Sequence, residues 1–340
     1  MMMRALRVAE SFGLEHLAVR EVQRPSPGPD EVLIRVRAAS LNYRDLLVAL
    51  GKYNPRFALP LTLGSDAVGE IAELGDNAQA RGLAVGTRVL VHMVQGWLAG
   101  PPGRDATQRT LGGPLPGVFA DYVLSRADSV VPAPAYLDDV EAACLPCAAV
   151  TAMSALSNNP LLVPGATLLT QGSGGVSLFA LALGRARRLR VIVTTRGESK
   201  RERLLSLGAD EVLSIEGPGW GRRARSLAGG DGAEHVIDVV GGATLAESLQ
   251  AVRPGGTISL IGTLGGSATE LDILPIVMRN VHVQGIFVGN LSTFHELLRE
   301  CERARISPVV DSVFDFPHAA EAFERLASGA HVGKICLRFV

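Results

Sequence analysis

The chain has 340 residues, 47% hydrophobic and 20% charged, which excludes a disordered segment and implies a well-buried protein of two ordinary-sized domains. Its formal net charge of −1 provides no global field toward nucleic acid or an anionic membrane. No long apolar region follows Met1-Met2-Met3-Arg4-Ala5-Leu6, no apolar run is expected to approach a membrane span, and four cysteines in apolar surroundings point to reduced thiols and a cytoplasmic location.

The first part is predicted to hold many short strands. Glu31–Ala39, Asp66–Leu74, Gly86–Val91 and Phe119–Leu124 are rich in Val, Ile and Leu, and breakers such as Pro27-Gly28-Pro29-Asp30 and Gly75-Asp76-Asn77 separate them. Gly96 to Gly117 is dense in Gly and Pro and is expected to be an irregular loop with a functional use. Asp138 followed by Glu141 predicts a helix N-terminus, and the helical pattern runs toward Ser157 with a kink at Pro146. From there strands and helices alternate. Strands are expected at Ala166–Gln171, Arg190–Thr194, Glu211–Ile215, Glu234–Val240, Gly256–Gly262 and Val281–Gly289. Helices are expected near Val176–Arg187, Ser199–Leu207, Gly221–Leu227 and Ala243–Val252, which implies an α/β domain with a doubly wound parallel sheet. The tail adds helix Leu291–Ala304, strand Val309–Phe316, helix Pro317–Ser328 and strand Lys334–Val340. The arginine run from Arg185 to Arg190 is read as a solvated helix end, the alternative being a nucleic-acid patch.

The strongest chemical signal is Gln171-Gly172-Ser173-Gly174-Gly175-Val176-Ser177, set between a predicted strand and a predicted helix. Gly172 permits a tight turn, Gly174 lets the backbone approach a diphosphate, and the helix N-terminus presents free N–H groups to that anion. Ser177 replaces the third glycine of the dinucleotide fingerprint, a change expected to loosen helix–strand packing only slightly. The alternative is a merely structural turn. At the end of the next strand, where an acid would select NAD, stand Thr194-Thr195-Arg196, with Lys200 a turn later. Arg196 and Lys200 suit a 2′-phosphate, so NADP(H) is expected, unless both are simply solvated.

With these residues in hand, the chain resembles the medium-chain dehydrogenase/reductase superfamily, in its zinc-free quinone-oxidoreductase-like and enoyl-reductase-like branches. The resemblance rests on Pro27–Val36, Ser40–Asp45, Gly64–Gly69, Leu145–Ala152, the glycine turn, Leu207–Asp210 and Arg253–Thr257. It implies a GroES-like catalytic domain over residues 1–127, a Rossmann dinucleotide-binding domain over 128–289 and a return to the catalytic domain over 290–340, with the active site in the cleft. It further implies a homodimer paired through the edge strand at Val281–Gly289. Cofactor contacts are carried over to Thr151, Gly172, Ser173, Gly174, Gly175, Val176, Thr195, Arg196, Lys200, Gly262, Thr263, Leu264, Phe287, Val288 and Gly289.

Zinc-dependent members use Cys, His and Cys ligands. Here the first position holds Asn42, the second motif reads Ser65-Asp66, and only Cys147 remains, so no metal is expected. Cys144-Leu145-Pro146-Cys147 spells a redox motif but lies in a helical stretch, so packing is expected for Cys144 and a place near the cleft for Cys147. Without a Lewis acid, conjugated acceptors are the easier substrates, because hydride addition leaves a delocalised enolate. The expected reaction is NADPH-dependent reduction of an enone, an enal or a quinone. Tyr43 and Tyr53 are the candidate donors, and Asn42 a candidate hydrogen-bonding residue; packing for the tyrosines and a helix cap for Asn42 are the alternatives. Asp45 and Asp66 are expected to be structural, and His92 and Trp97 to shape the pocket. Two other functions stay open: a metal-free NADP-dependent secondary alcohol dehydrogenase, and a non-catalytic NADPH-binding relative with a structural or RNA-binding role.

Overall fold

A computed structural model of the chain describes residues 1–79, 81–157 and 159–339. They form two compact units, Met1–Val150 with Asn290–Val340, and Thr151–Gly289.

The first unit contains β1 (Met2–Val8), β2 (Leu17–Gln23), β3 (Glu31–Ser40), β4 (Leu61–Thr62), β5 (Asp66–Leu74), β6 (Arg88–Val91), β7 (Tyr122–Arg126) and β8 (Val130–Pro132). β3 is the hub: β5 runs antiparallel along its length, and β7 pairs with Glu31–Arg35. Its apolar residues Val32, Leu33, Ile34 and Val36 are buried, as expected of a strand covered on both faces. The predicted strand Phe119–Leu124 starts three residues late. Val118 to Ala120 instead lie against Leu63 and Gly64, so closely that a Cβ on Gly117 would meet the Leu63 carbonyl oxygen at 2.1 Å. Behind this close approach Phe119 packs edge-on against Phe323, centroids 6.2 Å apart, in the centre of the core.

The expected break at residue 128 moves to residue 151. β8 pairs with β6, Arg88 Nε donates to Asp139 Oδ1 at 2.7 Å, and Ser40 Oγ donates to the Ala143 carbonyl at 3.1 Å. These bonds tie the segment after residue 127 into the first unit. The capping box is formed, with the Glu141 N–H donating to Asp138 Oδ1 and the Asp138 N–H to Glu141 Oε2. Pro146 falls in a π-helical turn, Leu145–Ala149, before Val150–Leu156 resumes as α-helix. Contrary to expectation, Asp139–Leu156 is long and apolar enough to cross a membrane by length and composition alone; 72% of it is buried within the structure, the pattern of a core helix.

The second unit is a single parallel sheet of β9 (Thr167–Gln171), β10 (Arg190–Thr195), β11 (Glu211–Ser214), β12 (Ala233–Asp238), β13 (Val252–Leu260) and β14 (His282–Gly285). Their order is β11-β10-β9-β12-β13-β14, which places a topological switch point between β9 and β12. The predicted edge strand Val281–Gly289 ends early, at Gly285. In the 185–190 run Arg185 donates to the Gly208 carbonyl, Arg187 to Leu156 and Arg190 to Leu227, while Arg185 and Arg188 are exposed, as expected of a solvated helix end.

The chain returns to the first unit at Asn290. Helix Leu291–Ala304 is followed by β15 (Val310–Asp315), helix Ala319–Ala327 and β16 (Lys334–Arg338). β16 lies antiparallel to the C-terminal end of β3, pairing Cys336 with Ser40, and so carries Lys334 toward the start of helix Tyr43–Ala49.

Candidate active site

In the second unit, β9 ends in the glycine turn. Gly172 has φ +81°, a left-handed conformation that favours glycine. A Cβ at either Gly172 or Gly174 would meet nothing within 4 Å, so the space above the turn is open. Gly174 caps helix Gly175–Ala186 without any side-chain cap, leaving the first N–H groups for an anion. The chemistry of this cradle fits a diphosphate. Ser177 does more than replace a glycine: it is buried, and its hydroxyl donates to the Gln171 carbonyl, pinning the helix to the strand rather than loosening it. Gly174→Val should fill the open space. Cofactor affinity is expected to fall about 100-fold by fluorescence titration with little change in melting temperature, because the added side chain obstructs the diphosphate and touches nothing in the free protein.

Thr195 is buried at the end of β10, and Arg196 after it is exposed. Lys200 reaches back to the turn, its Nζ donating to Ser173 Oγ at 3.1 Å. Across the switch point, the buried Asp238 carboxylate accepts the N–H groups of Val240 and Gly241 and the hydroxyls of Thr244 and Ser248. Gln171 Nε2 donates to the same Ser248 hydroxyl at 2.8 Å. Asp238 thereby couples the strand that enters the glycine turn to the loop at Gly241, a role the sequence reading missed. Gly241 has φ +84°, and a Cβ there would meet the Gly262 carbonyl oxygen at 2.6 Å. The loops of Asp238 and Gly262 therefore lie against each other, with Thr263 and Leu264 exposed beyond them. Thr151, Val288 and Gly289 are buried, Gly175 and Val176 open the helix, and Phe287 is half-buried.

In the first unit, Asn42 precedes helix Tyr43–Ala49, and Asp45 Oδ2 accepts its backbone N–H at 2.8 Å. The Asn42 side chain is committed: Nδ2 donates to Asp66 Oδ2 at 2.8 Å and lies 3.4 Å from Ser65 Oγ, while Oδ1 accepts from Lys334 Nζ at 2.6 Å. Asn42 is thus held by the chain's own groups, and its amide oxygen keeps a second lone pair for a ligand. Lys334 is 3% exposed, and its ammonium also donates to Asp66 Oδ2 at 3.1 Å and to the Leu41 carbonyl at 2.9 Å. Burial works to lower the Lys334 pKa, but Asp66 and the Cys144 and Cys147 sulfurs outweigh it and hold the ammonium above its usual value.

Asp45 is buried too, and that burial raises its carboxyl from 3.8 to about 6 against the opposing pull of Arg44. Between those two values the folded chain keeps a proton that the unfolded chain has lost, so this burial weakens stability increasingly as pH rises. The penalty is complete above about pH 6. Asp45→Asn should therefore gain on wild type by up to roughly 3 kcal/mol between acid pH and neutrality and then level off. Urea midpoints across that range test it; a difference flat with pH would refute the assignment.

None of the four cysteines forms a disulfide. Cys144 faces Cys336, with sulfurs 3.5 Å apart, rather than its motif partner Cys147. Burial pushes the Cys147 thiol up to about 12. Tyr43 and Tyr53 are partly exposed, at 38% and 41%, and the Tyr53 ring lies over the Arg44 guanidinium at 5.2 Å. His92 is buried with Nδ1 on the Val94 carbonyl, and the Trp97 indole donates to Gly100, so both are built into the 92–100 segment.

Residues 28–135 match the alcohol dehydrogenase GroES-like domain, and residues 175–303 match the zinc-binding dehydrogenase family. A zinc-type alcohol dehydrogenase-like protein of Schizosaccharomyces pombe is 37% identical, over 97% of both chains. An acryloyl-coenzyme A reductase of Metallosphaera sedula is 30% identical, over 94% of this chain and 95% of that one. A crystal structure of a putative alcohol dehydrogenase from Sinorhizobium meliloti 1021 superposes with a TM-score of 0.92 at 35% identity, covering 99% of each chain. The family works with a nicotinamide cofactor, NAD or NADP, which suits the cradle at Gly172–Gly175. Zinc suits the donors less well. Among the described residues, no three His, Cys, Asp or Glu side chains group as metal ligands. Asn42 Oδ1 and Asp66 Oδ2 hold an ammonium instead, which leaves Cys147 as the one soft ligand of the three positions. These residues do not fit a zinc ion.

Proposed function

The chain belongs to the medium-chain dehydrogenase/reductase superfamily, in its quinone-oxidoreductase-like branch, and on that premise we propose that it is a zinc-independent, NADPH-dependent reductase of a conjugated small-molecule acceptor, an enone, an enal or a quinone. The observation that carries the reading is Lys334 held by Asn42 and Asp66, which commits the first family ligand position, and the acid beside the second, to an ammonium. Such a site favours an acceptor whose developing charge is delocalised, because modest hydrogen bonding then suffices. The similarity to an acryloyl-coenzyme A reductase supports reduction of an activated C=C bond.

NADPH, when bound, supplies the hydride. The glycine turn, with Lys200 anchored on Ser173 Oγ, holds its diphosphate, and Arg196 recognises the 2′-phosphate. Tyr43 and Tyr53 are the donors to the acceptor oxygen; both carry their hydroxyls on partly exposed rings. A panel of enones, enals and quinones with NADPH, run beside secondary and allylic alcohols with NADP+, tests the reading. Faster alcohol oxidation would move the assignment to a dehydrogenase, and tight NADPH binding without turnover to a non-catalytic relative.

The proposed assembly is a homodimer in the cytoplasm. Beside edge strand β14, Ile273, Leu274, Val277, Met278 and Val283 are 40–72% exposed, an apolar set that pairing of two β14 strands would cover. A monomer by light scattering would overturn the dimer.

A further inference from the structure

Arg44 is the second residue of helix Tyr43–Ala49, where free N–H groups and the helix dipole disfavour a cation. Its side chain is only 10% exposed, so the guanidinium has lost most of its water. One nitrogen is engaged: Nη1 donates to the Leu111 carbonyl at 3.1 Å and lies 3.4 Å from Asp45 Oδ1. Nε and Nη2 are buried with no hydrogen-bond partner, and among the described residues no other arginine has two such atoms.

Nε and Nη2 form one edge of the guanidinium, the edge that grips a carboxylate with two parallel hydrogen bonds. The same chain shows this elsewhere. Arg126 sets Nε and Nη2 at 3.0 and 2.6 Å from the two oxygens of Asp128, and Arg325 sets both at 3.0 Å from those of Asp311. At Arg44 the equivalent fork is built and buried, and it meets no acceptor among the described residues. A buried fork of this kind destabilises the free protein and is explained where a ligand completes it. Partly exposed Tyr53 covers the guanidinium from the surface of this unit, so the fork lies beside a proposed proton donor.

We propose that the Nε–Nη2 edge of Arg44 receives a carboxylate of the acceptor, so that the substrate class is a conjugated enone or enal that also carries a carboxylate. Arg44, Lys334, Asp45 and Asp66 bring two cations and two anions together, and Arg44 is the cation with donors to spare. A lysine could offer charge here but not the planar fork. The substrate class rests on the reductase reading; carboxylate binding at the edge does not.

The test is calorimetric titration of the NADP+-bound chain, which cannot transfer hydride, with 4-oxopent-2-enoate and with its methyl ester. Wild type is expected to bind the acid at least about tenfold more tightly than the ester. Arg44→Lys should cut that ratio to about threefold or less, and Arg44→Gln should abolish it, with melting temperatures confirming the fold. Equal affinities in wild type would overturn the proposal without recourse to any variant. So would a ratio unchanged in both variants, or a crystal grown with the acid that shows only water on the Arg44 edge. Turnover of uncharged pent-3-en-2-one with NADPH separates the two ideas. If neither ketone nor acid is reduced while the acid binds through Arg44, the site stands and the reductase reading falls. If the ketone is reduced and the acid gains no affinity, the reverse holds.

Discussion

Lys334→Met is expected to destabilise the first unit by about 3–5 kcal/mol, the range for removing one partner of a buried ion pair. Asp66 has no exposed surface, and it would be left with only the Ser40 hydroxyl and the Asn42 amide as donors. Asp66 Oδ1 already lacks a partner, so there is no second donor ready to take up the loss. The Asn42 Oδ1 and Leu41 carbonyl would be stripped of their donor as well. Urea unfolding at neutral pH measures the effect. The chain has two tryptophans, Trp97 in the first unit and Trp220 in the second, so a Trp220→Phe background isolates the unit that matters. Combining Lys334→Met with Asp66→Asn should recover more than half of the loss, because the uncompensated carboxylate disappears. A single-variant loss below about 1 kcal/mol would mean that the pair is effectively solvated.

What the sequence made legible was local. The glycine turn is written in seven consecutive residues, and the strand–helix alternation around it follows from hydrophobic period alone. Asn42 and Ser65-Asp66 were legible as poor metal ligands, since that judgement needs only residue type. What Asn42 and Asp66 hold together was not legible: Lys334 lies 268 residues from Asp66 in sequence and meets it only because β16 returns beside β3. The boundary expected at 128 failed for a related reason. The change from strands to helix near Asp138 was real, but long-range bonds to Arg88 and Ser40 bind that helix to the first unit. Two missed residues did leave a local signal. Arg44 is a cation in the first turn of a helix, against the dipole, and Asp238 is an acid that ends a strand after Val236-Ile237, three residues before Gly241-Gly242. β1 and β2 left little, because Met2–Val8 buries no regular alternation of residues.

Arg196→Glu is expected to weaken NADPH binding about 100-fold or more while leaving NADH within about threefold, since one charge-assisted bond is replaced by repulsion of the 2′-phosphate. Arg196 is in solvent and its side chain has no hydrogen bond or ion pair among the described residues, so the change removes no internal interaction that both cofactors share. Lys200→Ala provides the contrast. Its ammonium is anchored on Ser173 Oγ, inside the diphosphate turn, so its loss should weaken NADPH and NADH together, by about tenfold each. Equilibrium fluorescence titration reads both without an acceptor, which keeps the result independent of the substrate assignment. If Arg196→Glu weakened the two cofactors equally, the 2′-phosphate contact would be wrong and Thr195-Arg196 merely a solvated strand end. If wild type bound NADH as tightly as NADPH, the absence of an acid at Thr194-Thr195-Arg196 would reflect tolerance of both cofactors rather than selection of one.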